Sequence, residues 1–288
     1  MSIFIPTRSL LGILLTCCLL LTTTPVLSDL IAEQQSSGFI ATAQLLPGEA
    51  QKKAILILHG FLQTRDFFTV RRLGEALHDM GYTVLLPSLT LGIDNRRQSL
   101  ACEAIHSHSM DQDTEEIGFW INWLQRRTGK RPTLIGHSVG SLELLAYLDE
   151  EPDPPIEQAI LISLIAFVQG PIAKENEAER QRAQQQLAHG DNSLTHYYLA
   201  YCDSYTTTPE NYLSYVTWDG NKTLEVLNNL AVEPTIVLGG EDRRLGDDWL
   251  PSLRQVGVEV VEIPGANHFF DHEYEFDLVD SIQKLLER

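Results

Sequence analysis

A chain of 288 residues, 43% of them apolar, has the material for one large buried core or two modest ones. Its 39 acidic against 21 basic side chains leave a formal charge of −18. Such a surface repels phosphate backbones and anionic bilayers, which argues against nucleic-acid binding and against docking on acidic membranes.

Residues 1–28 read as an export signal: Arg8 in a short leading region, an apolar run over 10–21, and Val26-Leu27-Ser28 at the cleavage end. The mature chain then begins near Asp29 and is periplasmic or secreted. Arg8 is the leader's only charged side chain, so its removal takes the charge from −18 to −19. The alternative is a membrane anchor through residues 10–21. A run of about a dozen apolar residues is, however, short of the ~20 that a spanning helix needs, so no stable span is expected in the mature chain. Neither Cys17 nor Cys18 follows Gly, Ala or Ser, which speaks against a lipidated cysteine. Cys102 and Cys202 survive maturation; they either pair in an oxidising compartment, tying two long connections together, or stand as separate buried thiols.

Along the mature chain, residues 39–46 read as a strand ended by Pro47-Gly48. The unbroken apolar run at 53–58 implies a strand buried on both faces, as in a parallel sheet, and stops at His59-Gly60-Phe61. A helix over 67–80 stops at Gly81, and 82–86 is the next strand, closed by Pro87. The connection 89–110 carries Asp94, Arg96, Arg97, Cys102, His106 and His108. Helical spacing resumes over 111–127, with Ile117, Trp120, Ile121 and Leu124 on one stripe. The strand beginning at Thr133 runs into Gly136-His137-Ser138-Val139-Gly140, and a helix follows to about residue 149, broken by Pro152-Asp153-Pro154-Pro155.

Residues 159–165 form another apolar strand. The insertion at 166–230 differs in composition from its flanks, with a charged, glutamine-rich helix at 174–186 followed by Tyr197, Tyr198, Tyr201, Tyr205, Tyr212 and Tyr215. Strands at 234–238 and 258–263 end at Gly239-Gly240-Glu241-Asp242 and at Pro264-Gly265-Ala266-Asn267-His268, and a helix over 273–287 closes the chain. Strands alternating with helices throughout predict an α/β fold, a mostly parallel doubly wound sheet covered on both faces.

Ser138 sits on a strand–turn–helix junction whose flanking glycines, Gly136 and Gly140, leave no room for a Cβ. A serine hydroxyl is a weak nucleophile at neutral pH and needs a base to take its proton and an acid to orient that base. In a doubly wound sheet those partners come from loops at the same carboxyl edge. Asp242 follows the penultimate strand and His268 the last one. Asp247 and Asp248 compete with Asp242, and His272, His106 and His108 with His268, but none of these stands at a strand end. His106 and His108, with Asp111 nearby, are a weakly spaced candidate metal cluster; polar surface or pocket lining is the other reading.

His59-Gly60-Phe61, Gly136-His137-Ser138-Val139-Gly140, Gly240-Glu241-Asp242 and Gly265-Ala266-Asn267-His268 together resemble the α/β-hydrolase family, from about residue 39 to the C-terminus. The resemblance implies a serine hydrolase of the esterase and lipase kind, with Ser138 as nucleophile, His268 as base and then acid, and Asp242 as its orienting carboxylate. The backbone amides of Phe61 and Val139 would form the oxyanion hole, and His59 would be structural. It implies a helical lid at 166–230 on a single domain at 29–288, its tyrosines and Trp218 either lining the acyl site or forming the lid's own core. It implies a small-molecule ester or other acyl substrate, with no cofactor and no metal. A non-catalytic binding protein on the same fold and an acyltransferase or thioesterase are the alternatives. One departure stands out: the loop after Phe61 has no further glycines, unlike the glycine-rich oxyanion loops of some esterases and lipases.

Overall fold

The computed structural model describes residues 1–2 and 29–288, so the export-signal reading lies almost wholly outside the described residues. The strands are β1 (Asp29–Gln34), β2 (Ile40–Leu46), β3 (Ala54–Leu58), β4 (Thr83–Ser88), β5 (Thr133–His137), β6 (Gln158–Ile162), β7 (Thr195–Leu199), β8 (Cys202–Thr207), β9 (Thr235–Gly239) and β10 (Glu259–Ile263). The helices are α1 (Phe68–Asp79), α2 (Met110–Thr128), α3 (Val139–Glu150), α4 (Ala173–Ala188), α5 (Pro209–Val216), α6 (Gly220–Asn229), α7 (Trp249–Gln255) and α8 (Tyr274–Leu286).

Eight strands form one sheet in the order β1-β2-β4-β3-β5-β6-β9-β10, and β7 with β8 makes a separate antiparallel hairpin. From β4 to β10 every pairing is parallel; β1 and β2 are added antiparallel at one edge. The apolar runs alternate between two cores. Ala54, Leu56 and Leu58 of β3, with Ala159 and Leu161 of β6, pack on one face; Ile55, Ile57, Ile160 and Ile162 pack on the other. That double burial is why these strands read as unbroken apolar segments.

α1 and α8 cover one face. Val70, Leu73 and Leu77 of α1 recur at helical spacing and meet the Leu278, Ile282 and Leu285 stripe of α8. The other face holds α2 and α3. Ser109 caps α2 in a reciprocal capping box with Gln112, and Gly129 ends it in the left-handed conformation at φ 71°. Ile117, Trp120, Ile121 and Leu124 turn inward, each side chain contributing about 1.5–3 kcal/mol through burial. α3 is buried almost all round, from Val139 to Leu148.

The boundaries differ from expectation in a few places. Pro87 does not close β4 but pairs opposite Ala43, and β6 stops at Ile162, where Ser163 takes a positive φ of 50°. Segment 166–230, expected to be helical, also holds the β7–β8 hairpin. Cys202, at the start of β8, is disulfide-bonded to Cys102. His106 joins the same hairpin: its amide donates to Thr206 O at 2.8 Å, and Thr207 Oγ1 donates to His106 O at 2.6 Å. The 89–109 connection is thereby fastened to the insertion at several points.

Candidate active site

β5 ends at His137, and the chain reverses at Ser138 with φ 59° and ψ −122°, a strained conformation for a residue with a Cβ. The reversal is compact because both neighbouring glycines are required. A Cβ on Gly136 would lie 2.6 Å from Gly140 O, and one on Gly140 would lie 2.3 Å from His59 O. The serine amide is held by Ile162 O of β6 at 2.9 Å.

Two further loops converge on the serine from the same edge of the sheet. Asp242 stands three residues past β9, its amide bonded to Gly239 O at 3.0 Å, and Glu241 N reaches Ala266 O at 2.9 Å, joining the aspartate loop to the histidine loop. His268 follows β10. Its Nδ1 lies 2.6 Å from Asp242 Oδ2 and its Nε2 lies 2.9 Å from Ser138 Oγ. A carboxylate only accepts, so Nδ1 carries the proton and Nε2 is left as acceptor for the serine hydroxyl. Burial pushes the Asp242 carboxyl up, but the hydrogen bond and charge of His268, followed by the amide and charge of Arg244, outweigh it and hold the group below the ordinary carboxylate range. The competing residues lie elsewhere: Asp247 and Asp248 are exposed, with Asp247 paired to Arg243, and His272 is exposed.

The loop after β3 borders this centre. His59 is buried; its Nδ1 donates to Gly60 O at 2.9 Å, and its Nε2 accepts from Leu89 N and Arg96 Nη2, each at 3.2 Å. Burial and then the Arg96 charge push its pKa down to about 3, so it is a neutral brace for the loop. Among the described residues, the Phe61 and Val139 amides have no acceptor, and both residues border a cavity of about 300 Å³ that opens onto Ser138 and His268. Phe167, Tyr198, Tyr201 and Phe269 give that cavity an aromatic wall, and Gln63 and Arg244 supply its other polar groups.

The tyrosines of the insertion divide between two environments. Tyr198 and Tyr201 border the cavity, whereas Tyr197, Tyr205, Tyr212 and Tyr215, with Trp218, are buried within the insertion and against the main core. His106 and His108 are not on the surface. His106 stacks on Tyr205 at 4.0 Å between ring centres, and His108 contacts Tyr215 and Asp113. Among the described residues no group of three or more His, Cys, Asp or Glu is arranged to hold a metal. A second cavity of about 290 Å³, bordered by Gln35, Thr90, His108, Asp113 and Glu116, touches none of Ser138, Asp242 and His268.

Several residues at the centre escaped sequence reasoning. His137 and Ser163 both donate to His268 O, at 3.0 and 2.9 Å. His137 is a variable position of the serine turn, and nothing in the sequence points its ring at a loop 131 residues away. Arg244, two residues past Asp242, carried no signal beyond its charge.

No curated protein sequence matches the chain. Solved structures do match its fold. The alpha/beta hydrolase GrgF of Penicillium sp. sh18 superposes with a TM-score of 0.66 at 15% identity over 89% of this chain and 95% of its own. A monoacylglycerol lipase of Paleococcus ferrophilus gives 0.65 at 17% identity over 85% and 98%, and Est1E of Butyrivibrio proteoclasticus gives 0.62 at 16% identity over 90% and 98%. At such identities the likeness speaks of fold alone. The family model described as "Alpha/beta hydrolase family" matches residues 55–280, most of the chain and every loop described above; the chain belongs to the alpha/beta hydrolase family.

Proposed function

We propose that this chain is an exported serine hydrolase that cleaves a small carboxylic ester through an acyl-enzyme, with Ser138, His268 and Asp242 as its catalytic triad. The observation that carries the reading is the unbroken hydrogen-bonded series from Asp242 Oδ2 through His268 to Ser138 Oγ. An arrangement of this kind suits the transfer of a hydroxyl proton to a base held in a single tautomer. The monoacylglycerol lipase among the structural neighbours supports the ester as the bond attacked.

Ser138 Oγ attacks the acyl carbon as its proton passes to His268 Nε2, and the carbonyl oxygen becomes an oxyanion. The unpartnered amides of Phe61 and Val139 are the donors that receive it, each worth roughly 3 kcal/mol in comparable sites. Collapse expels the alcohol, which takes the proton from His268 and leaves an acyl-serine. A water then attacks that ester, giving its proton to His268, and the carboxylic acid leaves as Ser138 regains its hydrogen. Asp242, held ionised, supports the imidazolium at both stages. No step calls for a metal or cofactor.

In this reading residues 1–28 are a cleaved export signal, residues 29–288 are the hydrolase domain, and residues 166–230 are its lid. The Cys102–Cys202 bond supports export, because such bonds persist in oxidising compartments. The position of Phe167, Tyr198 and Tyr201 on the cavity supports the lid. The test is labelling with a fluorophosphonate probe together with turnover of 4-nitrophenyl butyrate. Labelling is expected at Ser138 alone, and Ser138→Ala should lose both labelling and at least 10³-fold in rate. A Ser138→Ala protein that still hydrolyses the ester at the wild-type rate overturns the reading.

A further inference from the structure

The cavity in front of Ser138 has an unusual charge for this molecule. The chain carries −18 overall, yet among the described residues no carboxylate borders the cavity, and Arg244 is the one arginine or lysine that does. Its neighbour Arg243 faces Glu241 at 3.6 Å and Asp247 at 3.5 Å. Arg244 has no carboxylate within ion-pair distance among the described residues. Its guanidinium sits 4.7 Å from the ring centre of Phe269, the residue that follows the triad histidine. A cation over an aromatic face is held in place without using its N–H donors, which stay free for an oxygen acceptor. Asp242, the nearest carboxylate in sequence, is already engaged by His268. The turn thus sets Glu241 and Asp247 against Arg243 and leaves Arg244 on the border of the cavity.

We infer that Arg244 selects esters that carry one anionic group, so that the substrate class is a small monoanionic ester such as a half-ester of a dicarboxylic acid. This rests on the ester-hydrolase reading above and adds the charge of the substrate to it. The aromatic and apolar wall formed by Phe61, Phe167, Tyr201 and Leu245 takes the uncharged part of the molecule. A volume of about 300 Å³ is at the small end of ligand cavities, roughly 300–1,000 Å³, which suits a short acyl or aryl group and not a long lipid chain. Arg244 is exposed and borders the cavity, and its N–H fork can grip a carboxylate there. In a protein of this net charge a local cation is also what keeps an anionic substrate from being repelled.

Two matched ester pairs test this and separate an anion on the acyl part from one on the alcohol part. The first is mono-4-nitrophenyl adipate against methyl 4-nitrophenyl adipate. The second is the hexanoate ester of 4-hydroxybenzoate against that of methyl 4-hydroxybenzoate. The readout is the ratio of kcat/KM for the charged to the neutral member within each protein. Wild type should favour the charged member of at least one pair by roughly two- to fivefold, the range of one exposed ion pair. Arg244→Gln should bring that ratio to about one and Arg244→Glu should invert it, and the wild-type preference should shrink in high salt. An unchanged ratio in Arg244→Gln for both pairs, with hydrolysis intact, overturns the inference and leaves the ester-hydrolase reading standing. Should wild type cleave none of the four, that reading fails instead. Calorimetric titration of wild type and Arg244→Gln with the same esters then decides, charged-ester affinity being several-fold weaker in the variant only if Arg244 binds the anion.

Discussion

Nε2 of His137 lies 3.0 Å from the main-chain oxygen of His268, so the residue immediately before the turn serine also holds the loop that presents the imidazole. A carbonyl only accepts, so Nε2 carries the hydrogen. Nδ1 is buried and has no partner among the described residues. Burial, then the neighbouring His268, pushes the ring's pKa down to about 3, and it stays a neutral single donor across the working pH range. Ser163 Oγ donates to the same oxygen at 2.9 Å.

Replacing His137 with Phe should therefore loosen the His268 loop without touching the serine. We expect kcat to fall about ten- to a hundredfold, the range for a catalytic group displaced by an ångström or less, with KM nearly unchanged. Ser163→Ala should act in the same direction and more weakly, since His137 still holds the carbonyl. Steady-state kinetics on an aryl ester checks both. A rise in KM at constant kcat would place His137 in substrate binding and not in loop positioning.

Gly140 should tolerate no side chain. A Cβ there meets two main-chain oxygens, His59 O at 2.3 Å and Leu58 O at 3.0 Å, and neither can swing aside. Gly140→Ala is expected to cost more than about 3 kcal/mol or to abolish folding, as other core-strain substitutions do. Gly129→Ala is the control: its φ of 71° strains an alanine, but its Cβ meets nothing within 4 Å, so about 1–2 kcal/mol is expected. Urea unfolding followed by circular dichroism measures both. Equal losses would show that the collision with the β3 loop is relieved by a backbone shift.

Most of the sheet was legible because its central strands are buried on both faces, which leaves unbroken apolar runs such as Ile55-Leu56-Ile57-Leu58. β1 was not. It is an edge strand whose residues are exposed or half-buried, so its sequence reads as polar even though all six residues pair with β2. The β7–β8 hairpin was hidden for another reason. Tyr197, Tyr205 and Tyr212 bury their rings against other parts of the insertion and the 89–109 connection, and those contacts leave no period along the chain. The residues expected to form the triad stand at strand ends, where loop position follows from sheet topology. Arg244 and Ser163 depend on how two loops meet, which only the folded chain defines.

Glu116 should tilt stability toward acid. Burial pushes its carboxyl from 4.5 up to about 7, with both oxygens accepting from Thr90 and Trp120. Between those values the folded protein holds the proton and the unfolded chain does not. The contribution is thus fully present below pH 4.5 and lost as pH rises through 7. Glu116→Gln stays neutral and should remove that slope, so the stability difference between variant and wild type should shift by about 2–3 kcal/mol in the variant's favour from pH 4.5 to pH 8. His59 and His137 act in the opposite sense. Their pKa values are depressed to about 3, so their contribution is lost as pH falls from 6.5, but both proteins share it and it cancels in the comparison. Parallel stability curves would mean that Glu116 is ionised in the fold at neutral pH.

The Cys102–Cys202 bond should affect both stability and turnover, and the two effects can be separated. The bridged residues are 100 apart in sequence, so the bond restricts a long loop of the unfolded chain, worth ~5 kcal/mol in a chain-entropy treatment. It also fixes the start of β8 beside Tyr201, whose hydroxyl donates to Phe61 O at 3.2 Å. Phe61 is the residue whose amide we assign to the oxyanion. Removing both sulfurs in a Cys102→Ala, Cys202→Ser double variant is expected to lower the unfolding free energy by a few kcal/mol and kcat by several-fold. Tyr201→Phe loses only the hydrogen bond to Phe61 O. It should reproduce much of the kinetic loss with little change in stability, because the hydroxyl is near solvent and a single such bond is worth about 1 kcal/mol. A double variant with full kcat would show that the hairpin keeps Tyr201 in place through the contacts of His106 and Thr207 alone.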